Sequence, residues 1–401
     1  MVKPRLVAIA IVGTSLLTAC SADRAAAPAP TPAPARTSPG TTGTPPPPGG
    51  RASASPAATG AVAASAAWAT VAGAKLSGQT ALVDVAATGP GNVWAVGYQD
   101  SAEDREGTPA AVRWDGNRWG EVALPAADLE HLEGVSASGP DDVWVAGNGT
   151  IAFAARWNGR AWTAYTPFGA AQDYRLTDVA TSGGKAWFTA TRPSGAVVLE
   201  WKDGGFGNVL DTGGSLEAIT AKEGHLWAVG ASEERTPLVW HGTADGNWES
   251  METPEVAGGR LDRVWQISPS DVWAVGQIAV EPGTPETLPL VMRWDGRSWT
   301  RVEVPVSRGA LHGVTAFGPG DLWISGIDAD HSGQVLFLHF DGTAWTREYG
   351  PLFRTRAEEQ QYEETDDINH TGIARVPGTG ALWAVGSVGR GDDEEAFALR
   401  R

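Results

Sequence analysis

The sequence predicts an all-β protein, a seven-bladed β-propeller of four-stranded blades closed by the N-terminal strand pairing into the last blade. The first observation is a short phrase, an apolar residue followed by Trp, two small or apolar residues and usually Gly, that returns seven times. It reads Val93-Trp94-Ala95-Val96-Gly97, Val143-Trp144-Val145-Ala146-Gly147, Ala186-Trp187-Phe188-Thr189-Ala190, Leu226-Trp227-Ala228-Val229-Gly230, Val272-Trp273-Ala274-Val275-Gly276, Leu322-Trp323-Ile324-Ser325-Gly326 and Leu382-Trp383-Ala384-Val385-Gly386. Its spacing of roughly 40 to 60 residues is that of radial or stacked repeats. The second observation is the Asp-Gly or Asn-Gly turn downstream of most of these phrases, a strong signal for a tight hairpin. The third is a mismatch between the ends of the chain, which lets one end complete the other.

Each repeat builds its strands in the same order. A short apolar stretch such as Leu132-Glu133-Gly134-Val135-Ser136-Ala137 makes the innermost strand, and a Gly-Pro-Asp-Asp turn leads into the Trp strand. A third strand follows a variable loop and ends in Arg113-Trp114-Asp115-Gly116, Arg156-Trp157-Asn158-Gly159, Arg293-Trp294-Asp295-Gly296 or His339-Phe340-Asp341-Gly342. Type I′ geometry, with positive φ at both central positions, is expected there. A fourth strand then opens on its own Trp: Trp119, Trp162, Trp248, Trp299 or Trp345. Four antiparallel strands per unit make a propeller blade. After Trp383 only one further strand remains, Glu395-Ala396-Phe397-Ala398-Leu399, whereas Trp68-Ala69-Thr70-Val71 stands alone at the other end. Trp68 is therefore expected to supply the fourth strand of the last blade, leaving no unpaired terminal edge.

Ahead of the propeller, expected over residues 65–401, lie two segments of another kind. Lys3 and Arg5, the apolar run Leu6 to Leu17 and Leu17-Thr18-Ala19-Cys20 make residues 1–20 a lipoprotein signal peptide with a lipobox, and Cys20 the lipidated residue. That run is too short to span a bilayer as a helix. Residues 21–64, rich in Pro, Ala and Thr, bury too little apolar surface to fold and read as a disordered linker. The expected location is the extracytoplasmic face of a bacterial cell membrane, with membrane contact only through the lipid.

The chain carries a formal charge of −17; setting aside the five Lys/Arg and one Asp before residue 67 leaves 25 cationic against 46 anionic side chains, or −21. Such a surface disfavours nucleic acid and anionic lipid. Eighteen of the nineteen Trp residues recur at matched strand positions, which assigns them to packing between blades. Trp265 is the exception, standing on an innermost strand where other blades carry Ala86, Ser136, Ala180, Thr220, Thr315 and Ala374. It either plugs the axial channel or offers a stacking face. Asp142, Asp271 and Asp321, with Asn92 in the same place before the Trp, are expected to accept backbone N–H bonds in the turn.

Loops and strand starts converging on a propeller axis are where a ligand site belongs. The candidates there are Asp84, Glu133, Asp178, Glu217, Asp262, Arg263, Trp265, His312 and His370, which differ from blade to blade as packing residues do not. Two longer segments, 98–109 and 351–369, are expected to reach the same face. Asp328-Ala329-Asp330-His331-Ser332-Gly333 and Gly391-Asp392-Asp393-Glu394-Glu395 leave calcium open, without the later Glu of an EF-hand loop, and no other cofactor is expected. There is no His-Glu-x-x-His, Gly-Lys-Ser/Thr loop or Gly-x-Ser-x-Gly elbow.

With its Asp-Val-Trp-Ala-Val-Gly and Trp-Asp-Gly-x-x-Trp phrases, the chain after the linker resembles the secreted and lipoprotein Trp-rich β-propeller proteins of high-GC Gram-positive bacteria. That resemblance implies the fold and an extracytoplasmic setting and brings no catalytic residue with it. Two functions follow from the residues. One is a non-catalytic binding module, expected to be monomeric, for a protein, peptide or envelope glycan. The other is a carbohydrate-active hydrolase or lyase using a carboxylate pair such as Glu133 and Glu217 beside Trp265, for which the two groups must stand about 5 to 10 Å apart.

Overall fold

A computed structural model describes residues 68–102, 107–125, 128–281, 283–353, 367–390 and 393–401. Seven four-stranded antiparallel sheets form a seven-bladed β-propeller. Blade one contains β2 (Gln79–Gly89), β3 (Asn92–Ser101), β4 (Thr108–Trp114) and β5 (Trp119–Glu121), and blade two β6 (Leu129–Gly139), β7 (Asp142–Gly149), β8 (Ala152–Trp157) and β9 (Trp162–Tyr165). Blade three contains β10 (Arg175–Ser182), β11 (Lys185–Arg192), β12 (Gly195–Lys202) and β13 (Gly205–Thr212), and blade four β14 (Ser215–Lys222), β15 (His225–Ala231), β16 (Pro237–Thr243) and β17 (Trp248–Ser250). Blade five contains β18 (Gly259–Ser268), β19 (Asp271–Ala279), β20 (Thr287–Trp294) and β21 (Trp299–Arg301), and blade six β22 (Gly309–Gly318), β23 (Asp321–Asp328), β24 (Val335–Phe340) and β25 (Trp345–Tyr349).

The last blade runs β26 (Asp367–Arg375), β27 (Leu382–Arg390), β28 (Asp393–Arg400) and then β1 (Ala69–Thr70), so the ring closes as the sequence predicts. Ala69 pairs with Arg400 and Thr70 with Leu399. Trp68 is buried and stacks on Phe337 of blade six, ring centroids 3.6 Å apart.

The repeated tryptophans interlock neighbouring blades. Trp94 meets Trp157 and Trp162 of the next blade at 5.4 and 5.3 Å, Trp227 meets Trp294 and Trp299 at 5.6 and 5.5 Å, and Trp383 meets Trp114 and Trp119 at 4.9 and 5.0 Å. A buried Trp contributes large apolar area, and each such ring pair adds about 0.5–1.5 kcal/mol to it.

The Gly that ends the Trp phrase has a steric cause. In all seven blades the innermost strand is bulged, its register jumping between Leu82 and Asp84, Leu132 and Gly134, Leu176 and Asp178, Leu216 and Ala218, Leu261 and Arg263, Leu311 and Gly313, and, displaced towards the strand start in the last blade, Ile368 and His370. The bulge presses a carbonyl onto the second strand, where a Cβ on Gly97 or Gly276 would overlap the carbonyl oxygen of Ala81 or Arg260. Bulges re-aim the side chains beside them, here along the channel.

The polar residue before the Trp phrase, present in six of the seven blades, does something other than cap a turn. Nε of Arg113 donates to Asn92 (2.8 Å), Nε of Arg156 to Asp142 (2.8 Å) and Nε of Arg293 to Asp271 (2.9 Å), while a ring nitrogen of His339 lies 2.9 Å from Asp321. The side chain so held covers the Trp of the same blade: Arg293 lies 4.9 Å over Trp273, and the His339 ring stacks on Trp323 at 4.2 Å. Blade three inverts the charges, with Lys185 paired to Glu200 at 2.7 Å, and blade four uses His225 and His241, 3.0 Å apart. Asp203-Gly204, between β12 and β13, has positive φ at both central positions, as type I′ requires, but the four Asp-Gly and Asn-Gly turns that follow Trp114, Trp157, Trp294 and Phe340 differ from it. In these four turns the Gly alone, Gly116, Gly159, Gly296 or Gly342, has positive φ, and Asp115 Oδ1 accepts the N–H groups of Asn117 and Arg118 at 2.9 Å each.

Candidate functional site

The bulges sort the candidate residues into two levels of the channel. Glu133, Glu217, Asp262 and His312 are the bulged residues themselves, at the end where the innermost strands begin, and His370 lies at the same end of the last blade. Asp84, Asp178 and Arg263 follow the bulge, level with Gly134, Ala218, Gly313 and Gly372 of the other blades, and form a charged collar deeper in the channel. Adjacent candidates in the sequence thus fall on different tiers. The sequence shows the residue types but not which of two neighbours is the extra one.

Within the collar both carboxylates bridge blades. Asp84 Oδ1 accepts the N–H of Val85 (2.9 Å) and Oδ2 that of Val135 on blade two (2.8 Å). Asp178 repeats this with Val179 (2.8 Å) and Ile219 of blade four (2.9 Å). An innermost strand has no partner on its channel edge, and each Asp satisfies two of the N–H groups left there. Gly134 makes room, since a Cβ at that position would stand 2.7 Å from Asp178 Oδ1.

Arg263 is the collar's cation. Burial opposes its charge, but the surrounding acids, Asp84 and Asp178 foremost, hold it protonated. The two acids respond in the opposite sense. Burial raises Asp84, against the pull of Arg263 and its two N–H donors. Burial carries Asp178 up to about 7, with the Asp84 charge adding to the rise. One cation therefore serves two acids, and the second acid keeps its proton towards neutral pH.

The upper tier is a set of local pairs. His131 lies 3.0 Å from Glu133, whose carboxyl stays below its ordinary range despite burial because His131 and Asn148 bond to it. Ser215 donates to Glu217 at 2.8 Å and Arg260 to Asp262 at 2.6 Å. Burial, reinforced by His370, Arg263 and Arg260, depresses His312 to about 4, so its ring is neutral at physiological pH.

A cavity of about 750 Å³ begins at the collar and runs to the end where the innermost strands finish. Trp265 lines it together with Lys222, Phe317 and Arg375, whereas Glu133, Glu217, Asp262, His312 and His370 do not. The collar thus stands between Trp265 and the Glu133 and Glu217 carboxylates. Sequence reasoning missed Lys222, Gln266 and Arg375. All three lie past the bulge, near the ends of innermost strands, where no motif marks them.

In the first calcium candidate the Asp328 carboxylate is taken up by local hydrogen bonds. Asp328 Oδ1 accepts the N–H of Asp330 (3.0 Å) and Oδ2 the hydroxyl of Tyr349 (2.5 Å), and His331 stacks on Tyr349 at 4.1 Å. Gly391 and Asp392 of the second candidate lie outside the described residues, as do 103–106 and 354–366 of the two long segments, the whole signal peptide and linker, and Cys20. Among the described residues no three His, Cys, Asp or Glu side chains converge.

No family model and no curated protein matches the chain. Solved structures do. YCF48 bound to a D1 peptide aligns with a TM-score of 0.53 at 14% identity, over 83% of this chain and 94% of that one. The GH74 xyloglucanase from Xanthomonas campestris aligns with a TM-score of 0.53 at 16% identity, over 81% of this chain and 54% of the enzyme, so the chain spans about half of its length. Identities this low establish a shared propeller fold and no more.

Proposed function

We propose that the protein is a lipid-anchored, extracytoplasmic propeller that binds a peptide, protein or glycan ligand without catalysis, in the channel beneath the collar. One observation carries this reading: the 750 Å³ cavity has the size of a ligand site, yet its two carboxylates are each held by two backbone N–H groups and share Arg263. A general acid and base need a free lone pair or proton directed at a substrate. The carboxylates here are occupied in joining blades. Glu133 and Glu217, the pair a hydrolase would use, do not line the cavity.

A thermal-shift screen of the full chain against envelope glycans and peptides, with and without calcium, tests the reading. A ligand that binds only the folded protein raises the melting temperature by mass action. The expected result is a shift abolished by Trp265→Ala, with no turnover of the same ligand. Release of product from a bound glycan would favour the hydrolase instead. Lipidation is tested separately: labelled palmitate incorporated into the chain should be lost in Cys20→Ser.

A further inference from the structure

Charge in the lower cavity runs against that of the protein. A chain of −17 places three cations, Lys222, Arg263 and Arg375, in a wall whose carboxylates, among the described residues, are Asp84 and Asp178. Two of these cations are engaged. Arg263 faces the collar acids, and Lys222 Nζ donates to the Ile267 carbonyl at 2.5 Å and lies 3.9 Å from Glu223. Arg375 is different. No carboxylate among the described residues pairs with it, and its Nε is buried without a hydrogen-bond partner in the protein.

Its guanidinium lies 5.9 Å over the Trp265 ring. On the strand that carries Trp265, the next residue, Gln266, is 2% exposed; its amide nitrogen donates to the Lys222 carbonyl at 3.2 Å, and its Oε1 is buried with no partner. Donor and acceptor atoms left buried and unpaired are costly. The rest of the wall is mixed: apolar side chains such as Ile219, Ile267 and Phe317 alternate with Ala, Gly and the hydroxyls of Thr88, Ser138 and Thr220. Such a lining offers hydrogen-bonding groups and apolar surface together, the two faces that a polyhydroxylated ring presents.

We propose that this cavity binds an acidic saccharide, with the sugar carboxylate on the Arg375 guanidinium and its apolar ring surface against the Trp265 indole. The inference rests on the binding reading above and assigns its ligand class. Charge-assisted pairing of a planar guanidinium with a carboxylate gives the selectivity, and the aromatic ring supplies the contact area.

The test is isothermal titration of the full chain with a glucuronic-acid disaccharide and with the corresponding neutral glucose disaccharide. The uronate should bind about tenfold or more tightly than the neutral sugar, and added salt should narrow the difference. Arg375→Gln should remove the preference, Arg375→Lys should keep part of it, and Thr220→Asp, which leaves Arg375 in place, should weaken the uronate selectively. Equal affinity for the two sugars, or a preference that survives Arg375→Gln, overturns the assignment. So does the absence of any saccharide binding. If a peptide then binds in a manner sensitive to Trp265→Ala, the binding reading survives its proposed ligand; if nothing in the panel binds, both fall.

Discussion

Replacing Arg263 with Met removes the collar's cation while keeping an unbranched stem in its place. Asp84 and Asp178 remain, each tied to two backbone N–H groups, with no positive charge between them. Removing one partner of a buried ionic cluster costs about 3–5 kcal/mol. How that cost varies with pH follows from proton linkage. The ordinary Asp value is 3.8, so above pH 5 the unfolded chain has released these protons. A proton that the native collar retains then makes stability fall as pH rises, by about 1.4 kcal/mol per pH unit. In the native protein, Asp178 behaves this way: its contribution is complete below 3.8 and is lost as pH rises through about 7.

Without Arg263 the collar holds one further proton, and the gap between variant and parent widens by up to about 4 kcal/mol between pH 5 and pH 8. Loss of the Arg263 charge also eases protonation of His312, which narrows the gap at low pH and acts in the same direction. Urea unfolding followed by the fluorescence of the nineteen tryptophans at the two pH values measures it. A destabilisation equal at both, or larger at pH 5, would refute the collar as an acid pair sharing one cation.

Other perturbations follow from the same geometry. Gly134→Ala should cost about 1–3 kcal/mol in urea unfolding, because its Cβ meets Asp178 Oδ1 at 2.7 Å and backbone beyond it; unchanged stability would mean that the blades separate freely at this level. His312, with a native value near 4 against 6.5 when unfolded, should make stability fall by about 3 kcal/mol as pH drops from 6.5 to 4. Its ring resonances should not titrate between pH 5 and 8, and His312→Gln should abolish that part of the decline. Arg293→Leu removes both the 2.9 Å bond to Asp271 and the cation over Trp273. It should cost about 2 kcal/mol in the same assay, and a loss below about 0.5 kcal/mol would reduce the repeated polar pair to decoration.

What the sequence made legible was whatever recurs. Seven Trp phrases, the hairpin turns and the orphan strand at Trp68 were enough to place blades and closure, because packing between equivalent blades imposes the same residue at the same position. Features set by a one-residue offset stayed hidden. Asp84 and Glu133 read as equivalents in a row of strand starts, yet the bulge puts Glu133 in the upper tier and Asp84 in the collar. The turn role expected of Asp271 failed for a related reason: its partner, Arg293, is remote in sequence and becomes a neighbour only through the register of β19 with β20. Trp265 was conspicuous as the one Trp that breaks the pattern, whereas Arg375, an ordinary residue at a strand end, acquires meaning only from the ring it covers.

The two-residue pairing of β1 with β28 has a kinetic consequence. It joins the first described strand to the last, and Trp68 can dock on Phe337 only when blade six is already built. Contacts of such sequence separation form late, after most of the chain entropy has been surrendered. The ring should therefore fold slowly and by completion, with a nearly finished six-blade arc waiting for its clasp. Once shut, it should open slowly as well, since no other strand offers an end from which to unzip. Protease resistance in such a molecule would report the lifetime of this closure rather than the depth of its energy minimum.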